Sequence, residues 1–166
     1  MSISESLKSY LDKENANYEC VHHPYSEGAR ETAISGKVPI DQMAKAVVLE
    51  DHEGQHLMAV VPASNHINLD KLGTNLHRDL HLVEEDRLQE MFRDCAPGAI
   101  PALGHAFHME TVVDDQLLEQ DPVYIEAGDH EDLVRVKGET FRQLVSQYPH
   151  MTFSSPRDAA SFYTSP

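Results

Sequence analysis

Apolar residues recur along the chain with two alternating periods, one helical and one extended. Leu7, Tyr10 and Leu11, for example, share one face of a helix. Helices are predicted at residues 4–14, 27–35, 68–76, 84–92 and 139–147. Strands are predicted at residues 18–22, 47–49, 57–61, 81–83, 109–113, 123–126 and 133–136. We expect one domain at residues 1–148 and a flexible tail, rich in serine and proline, at residues 149–166.

The strands predicted at residues 47–49 and 57–61 are separated by turn-forming residues and are expected to pair as a β-hairpin. Lys45 stands just before the first of them, where the chain enters the core. Burying a cation there is costly unless a negative group meets it. Two interpretations follow: the ammonium group reaches solvent with only its stem buried, or it belongs to a site that receives a negatively charged group.

A second feature is the segment at residues 97–104, which holds two glycines and two prolines with small apolar residues between them. This composition is typical of a rigid turn with an accessible main chain. Glycine also allows a ligand to approach the backbone closely, so N–H groups here can face a carbonyl oxygen. The same pattern is equally consistent with an ordinary tight connection between a helix and a strand.

Charge limits the partners of the chain. The 166 residues include 13 basic and 28 acidic side chains, a formal net charge of −15. Such a surface repels nucleic acid at long range, so non-specific binding to a phosphate backbone is not expected. The N-terminal residues lack the features of a secretion signal and no run is apolar enough to span a membrane, so a cytoplasmic location is expected.

The remaining reactive residue types do not form a recognised motif. Cys20 and Cys95 are too few and too far apart for a disulfide framework, and both are expected in or near the core. Four of the 11 histidines occur in close pairs, namely His22, His23, His105 and His108. They lack cysteine or carboxylate partners at a metal-binding spacing, so we interpret them as surface residues and expect neither a metal nor another cofactor.

Several short segments, taken in their order and spacing, carry a resemblance to a known family. They are Glu31-Thr32-Ala33, Met43-Ala44-Lys45, Val60-Val61-Pro62, Asn68-Leu69-Asp70-Lys71-Leu72, the segment at 97–104 and Glu126-Ala127-Gly128-Asp129-His130. Over about residues 4–148 the chain resembles the YbaK domains, aminoacyl-tRNA editing proteins that include the insertion domain of bacterial prolyl-tRNA synthetase. The resemblance implies a mixed α/β fold with a curved, largely antiparallel sheet that closes towards a barrel and is surrounded by helices.

The resemblance also implies roles for particular residues. Lys45 matches the family lysine at the mouth of the pocket, Gly98 matches the glycine of the family's glycine-to-proline loop, and His130 matches a histidine that helps to select the amino acid. Thr32, Pro101, Gly128 and His130 are expected to contact the substrate. The chain departs from the family loop by carrying Ala102 where a proline is common. The floor of its pocket is therefore expected to differ in shape from that of relatives, and with it the choice of amino acid.

The function implied by the resemblance is trans-editing, the hydrolysis of an amino acid wrongly esterified to the 3′ end of tRNA by a freestanding deacylase. Lys45 would fix the substrate, and the N–H groups of Gly98 and Ala99 would stabilise the oxyanion. No Ser-His-Asp or Cys-His arrangement is apparent, so the nucleophile is expected to be water or the 2′-hydroxyl of the terminal adenosine. A synthetase or elongation factor could present the tRNA to this acidic protein. The alternative is a non-catalytic module that binds a small molecule or a protein.

Overall fold

The structure is a computed structural model that describes residues 3–156. Its helices are α1 (Glu5–Lys13), α2 (Ala29–Ser35), α3 (Leu69–Leu76), α4 (Glu85–Met91) and α5 (Gly138–Leu144). Its strands are β1 (Glu19–His22), β2 (Met43–Asp51), β3 (His56–Pro62), β4 (Asn65–Ile67), β5 (Leu80–Leu82), β6 (Thr111–Asp114), β7 (Val123–Glu126), β8 (Asp132–Val136), β9 (His150–Met151) and β10 (Ser154–Pro156). Every helix and strand predicted from the spacing of apolar residues is present, with boundaries shifted by a few residues.

The main sheet has the strand order β1-β8-β7-β2-β3-β6-β9, and β5 pairs with the far end of β2. The pairs β2–β7, β3–β6 and β6–β9 are parallel and the other pairs are antiparallel. The prediction of a mixed α/β fold with a mostly antiparallel sheet and flanking helices is confirmed. The sheet does not close into a barrel, because within the described residues β1 and β9 end it without pairing to each other.

The predicted hairpin is formed by β2 and β3, and it places Lys45 opposite Val61. Strand β2 begins earlier than predicted, at Met43, so Lys45 lies within the strand. On its other side β2 pairs with β7 only at its start and with β5 only at its end, which leaves residues 45–48 without a neighbouring strand there. The sheet therefore has a gap beside Lys45.

Side-chain alternation decides which face of the sheet each residue near this gap occupies. Residues at even positions of β2 and odd positions of β7 pack into the largest hydrophobic cluster, namely Ala44, Val48, Val123 and Ile125. Because successive side chains of a strand point to opposite faces, Lys45 and Glu126 project from the other face. Ala44 pairs with Ile125 in parallel register as the last pair before the gap, so Lys45 and Glu126 both follow that pair at the edge of the gap.

The expected flexible tail does not begin at residue 149. Strand β9 pairs with β6, and β10 pairs with β4 in a second, two-stranded sheet. Phe153, between β9 and β10, is fully buried in a hydrophobic cluster with Leu49 and Leu57. Serine and proline content suggested a tail, but one buried aromatic ring fixes this segment to the core. The expectation for residues 157–166 lies outside the described residues.

Candidate active site

A cavity of about 670 Å³ lies along the gap beside Lys45. Its lining includes residues 45–48 of β2, Glu126 at the end of β7, Leu82 at the end of β5 and the following Val83. Gly98 and Ile100, from the loop at residues 97–104, also contribute to its wall. Much of the lining is aliphatic, and the polar side chains that line the cavity are those of Lys45, Asn65, His66, Glu85 and Glu126. A cavity of this size and character is typical of a small-molecule site.

Lys45 and Gly98 are therefore brought to the same cavity, although 53 positions separate them in the sequence (98 − 45). Lys45 is half-buried, which limits the water available to its charge and strengthens its attraction to an anion. Gly98 is exposed and has a φ of +80°, a conformation that glycine adopts without strain. The pair supplies a cation and an accessible main chain to one bound molecule.

One predicted function of the loop is contradicted. The N–H of Ala99 donates a hydrogen bond to the carbonyl oxygen of Ala96 at 3.1 Å, and Ala99 is completely buried. Because that N–H closes the turn, it is not available to stabilise an oxyanion. Gly98 remains as the loop residue whose main chain faces the cavity.

Two other residues of the loop lie in the core. Pro101 is buried, and Ala102 is fully buried within the largest hydrophobic cluster. Neither residue lines the cavity. The departure from the family pattern at Ala102 is thus accommodated in the core, and the predicted contact of Pro101 with a ligand is not direct.

His130 is buried and contacts the loop at residues 97–104. Its side chain is only 1% exposed, and Nε2 lies 2.5 Å from the carbonyl oxygen of Pro97. The ring of Tyr25 packs edge-on against it, with centroids 5.4 Å apart. His130 does not line the cavity, so the predicted direct contact with a substrate is replaced by a contact that holds the residue before Gly98 in place.

Thr32 and Gly128 are also buried away from the cavity. The hydroxyl of Thr32 lies 3.1 Å from that of Ser26, which ties α2 to the turn before it. Gly128 has a φ of +111°, and a Cβ there would lie 3.1 Å from Cβ of Ser4. Neither residue lines the cavity, so the predicted direct contacts of Thr32 and Gly128 with a substrate are not supported. Both residues instead pack in the structure around the site.

Glu126 is a site residue that the sequence patterns did not single out. It is 7% exposed, it lines the cavity, and its Oε1 atom is buried with no hydrogen-bond partner among the described residues. Burial, and secondarily the negative charge of Asp129, raise the pKa of the Glu126 carboxyl to about 8. A buried carboxyl that stays partly protonated near neutral pH is typical of a functional site.

The cysteines and histidines do not form a second centre. Burial, followed by the charge of Asp94, raises the pKa of the Cys95 thiol to about 12, so Cys95 is a poor nucleophile. Cys20 is exposed, not near the core as expected. His23 is buried, with Nδ1 2.7 Å from the carbonyl oxygen of Pro24, so it is not a surface residue. Within residues 3–156, no three His, Cys, Asp or Glu side chains are grouped to hold a metal ion.

The sequence matches the family described as the aminoacyl-tRNA editing domain over residues 23–144. The chain belongs to the aminoacyl-tRNA editing domain family. The match spans β2, the loop at 97–104 and β7, and so includes every segment that lines the cavity. No curated protein matches the chain.

Solved structures show the same fold at low sequence identity. A hypothetical protein is 16% identical with a TM-score of 0.80, and the match covers 91% of this chain and 100% of that one. A proposed trans-editing enzyme for prolyl-tRNA synthetase is 19% identical with a TM-score of 0.78, covering 92% and 96% of the two chains. A proposed signal transduction protein from Marinobacter aquaeolei is 23% identical with a TM-score of 0.72, covering 93% of this chain and 31% of that one. The editing-domain fold therefore occurs both alone and inside a longer chain.

Among the described helices of this editing domain, none has the length and apolar content needed to cross a membrane.

Proposed function

We propose that the protein is an aminoacyl-tRNA deacylase that hydrolyses the ester between a wrongly attached amino acid and the 3′ end of tRNA. The observation that carries the proposal is that Lys45 and Gly98 line one cavity in a chain of the editing-domain family. The ammonium group of Lys45 binds the terminal phosphate or the ester-bearing ribose. A cytoplasmic location, where aminoacyl-tRNA is made and used, is part of the proposal.

The catalytic step follows from the same geometry. The N–H of Gly98 donates to the oxygen of the ester carbonyl as negative charge develops on it. The attacking group is water or the neighbouring 2′-hydroxyl of the terminal adenosine, because the thiol of Cys95 is held protonated by burial. Orientation of the ester between Lys45 and the loop provides much of the rate.

The net charge of −15 makes long-range attraction to tRNA weak. We therefore propose that contact with tRNA is confined to its 3′ end and that a synthetase or elongation factor presents it. This arrangement predicts slow hydrolysis of free mischarged tRNA that accelerates when the presenting protein is added.

Purified protein is expected to hydrolyse at least one mischarged tRNA from a panel that begins with alanyl- and cysteinyl-tRNA(Pro). The rate should exceed the spontaneous rate by at least about 100-fold, the size of the effect that an oriented oxyanion donor provides. Release of radiolabelled amino acid measures it, and correctly charged prolyl-tRNA(Pro) is the control. If no tRNA of the panel is hydrolysed faster than it is spontaneously, the deacylase function is excluded.

Gly98 offers a test of the loop with a matched control. Gly98→Ala places a side chain at a φ of +80° and Gly54→Ala does so at +81° in the hairpin turn, and each is expected to lower the free energy of unfolding by about 1 kcal/mol. Only Gly98→Ala should also slow deacylation. Denaturant unfolding and turnover, measured on both variants, check this. Equal loss of turnover in both would show that the loop has no particular part in the reaction.

The alternative of a non-catalytic binding module retains one supporting observation, the occurrence of the same fold within a proposed signal transduction protein. That module would use the same cavity but leave an ester intact. Binding of an aminoacyl-adenosine without its hydrolysis separates the two functions.

A further inference from the structure

Glu126 is the one strongly shifted acid that lines the cavity among the described residues, and the mechanism above does not use it. Its Oε1 atom is shielded from solvent and accepts no hydrogen bond within residues 3–156. Leaving a buried polar oxygen unpaired destabilises a protein, so such an atom in a cavity wall is suited to a donor that arrives with a ligand.

The position of Glu126 defines where that donor would lie. Glu126 and Lys45 directly follow the paired residues Ile125 and Ala44 on β7 and β2, and they project from the same face of the sheet. Gly98 reaches the same cavity from the opposite loop. A ligand held there meets a cation, a main-chain donor and a carboxyl acceptor within one cavity.

An aminoacyl ester carries a hydrogen-bond acceptor and a hydrogen-bond donor close together, which complement the donor and the acceptor groups of this cavity. Its carbonyl oxygen accepts hydrogen bonds, and its α-ammonium group, one carbon away from the carbonyl carbon, donates them. The ammonium group cannot face Lys45, because like charges repel in a space with little water. It can face Glu126, since a cation beside that carboxyl lowers its pKa, and the ionised carboxylate accepts a charge-assisted N–H bond.

We propose that Glu126 receives the α-amino group of the esterified amino acid, so that the substrates are aminoacyl esters with a free α-amino group and esters with a blocked one are rejected. The inference rests on the proposed deacylase function and specifies its substrate class. Glu126 binds the reacting molecule and is assigned no proton transfer. A blocked amine loses its charge, keeps a single N–H and carries an added acyl group, so its bond to Glu126 is no longer charge-assisted and the added group needs space beside that carboxyl.

The test compares wild-type protein with Glu126→Gln, using two alanyl-tRNA substrates, one free and one N-acetylated. Wild type should prefer the free amine by roughly 10- to 100-fold in kcat/KM, the effect of one charge-assisted hydrogen bond. Glu126→Gln should lose most of this preference. Glu139→Gln, an exposed residue of α5 that removes the same charge, is the matched control and should behave as wild type.

Binding of a non-hydrolysable 3′-alanylamino-adenosine, measured by calorimetry, separates failure of this inference from failure of the deacylase. If the analogue binds and Glu126→Gln weakens only the free-amine form, the assignment holds even when no ester is hydrolysed. Equal use of both substrates by wild type would overturn it. Equal slowing of both substrates in Glu126→Gln would also overturn it, and would indicate that Glu126 acts in the chemical step.

Discussion

Replacing Lys45 with alanine is expected to lower kcat/KM for the mischarged tRNA by roughly 100-fold or more while the fold remains intact. The half-buried ammonium group lines the cavity beside Gly98, and a charge-assisted contact with phosphate or ribose in such a site is worth about 2–3 kcal/mol. Deacylation of tRNA under single-turnover conditions measures the loss. Far-ultraviolet circular dichroism checks that the sheet is retained.

The matched control is Lys71→Ala, which removes the same charge from the exposed surface of α3. It should leave kcat/KM within about twofold of wild type, because exposed charges are screened by salt. Turnover by Lys45→Ala equal to that of the control would remove Lys45 from the mechanism.

Glu126→Gln is expected to raise the free energy of unfolding substantially above neutral pH. The pKa of Glu126 is about 8 in the fold against an ordinary value of 4.5, so the folded state keeps a proton that the unfolded chain loses. The stability that this proton contributes is fully present below about pH 4.5 and is lost as the pH rises through about 8. Glutamine has no proton to lose, so the variant should exceed wild type by roughly 3–5 kcal/mol at pH 9.

Urea unfolding of wild type and Glu126→Gln at pH 4.5 and at pH 9 measures this difference. The two free energies of unfolding should be similar at pH 4.5 and diverge as the pH rises. If the difference in free energy of unfolding between the two proteins stays constant across this pH range, the Glu126 carboxyl is exposed to solvent. Glu126 would then not be a buried part of the cavity wall.

Much of the fold could be predicted because local patterns and tertiary packing agree. The hairpin of β2 and β3 has apolar residues on both strands and turn residues between them, and pairing of the strands satisfies their backbone groups. Lys45 and Gly98 were predicted as site residues through the resemblance to the editing family, since their local patterns alone equally allow a lysine that reaches solvent and an ordinary tight turn.

Other parts of the site could not be predicted from local patterns. A glutamate at the end of a strand is ordinarily solvated, so nothing in the neighbourhood of Glu126 indicates that β2 and the loop at 97–104 enclose it. The conformation of the turn makes the N–H of Ala99 donate a hydrogen bond to the carbonyl oxygen of Ala96. His130 follows the family motif, yet packing turns its ring to Pro97 and away from the cavity.

By itself, the sequence determined the helices and strands and the acidic composition, because these depend on residue spacing and content, whereas Lys45 and Gly98 were singled out by the resemblance to a family. Only the tertiary structure decided that the sheet stays open, that β9 and β10 pair with β6 and β4, and that Glu126 lines the same cavity as Lys45. The physical reason is that burial depends on which distant segments pack together, and the pKa and hydrogen bonding of a carboxyl follow from burial.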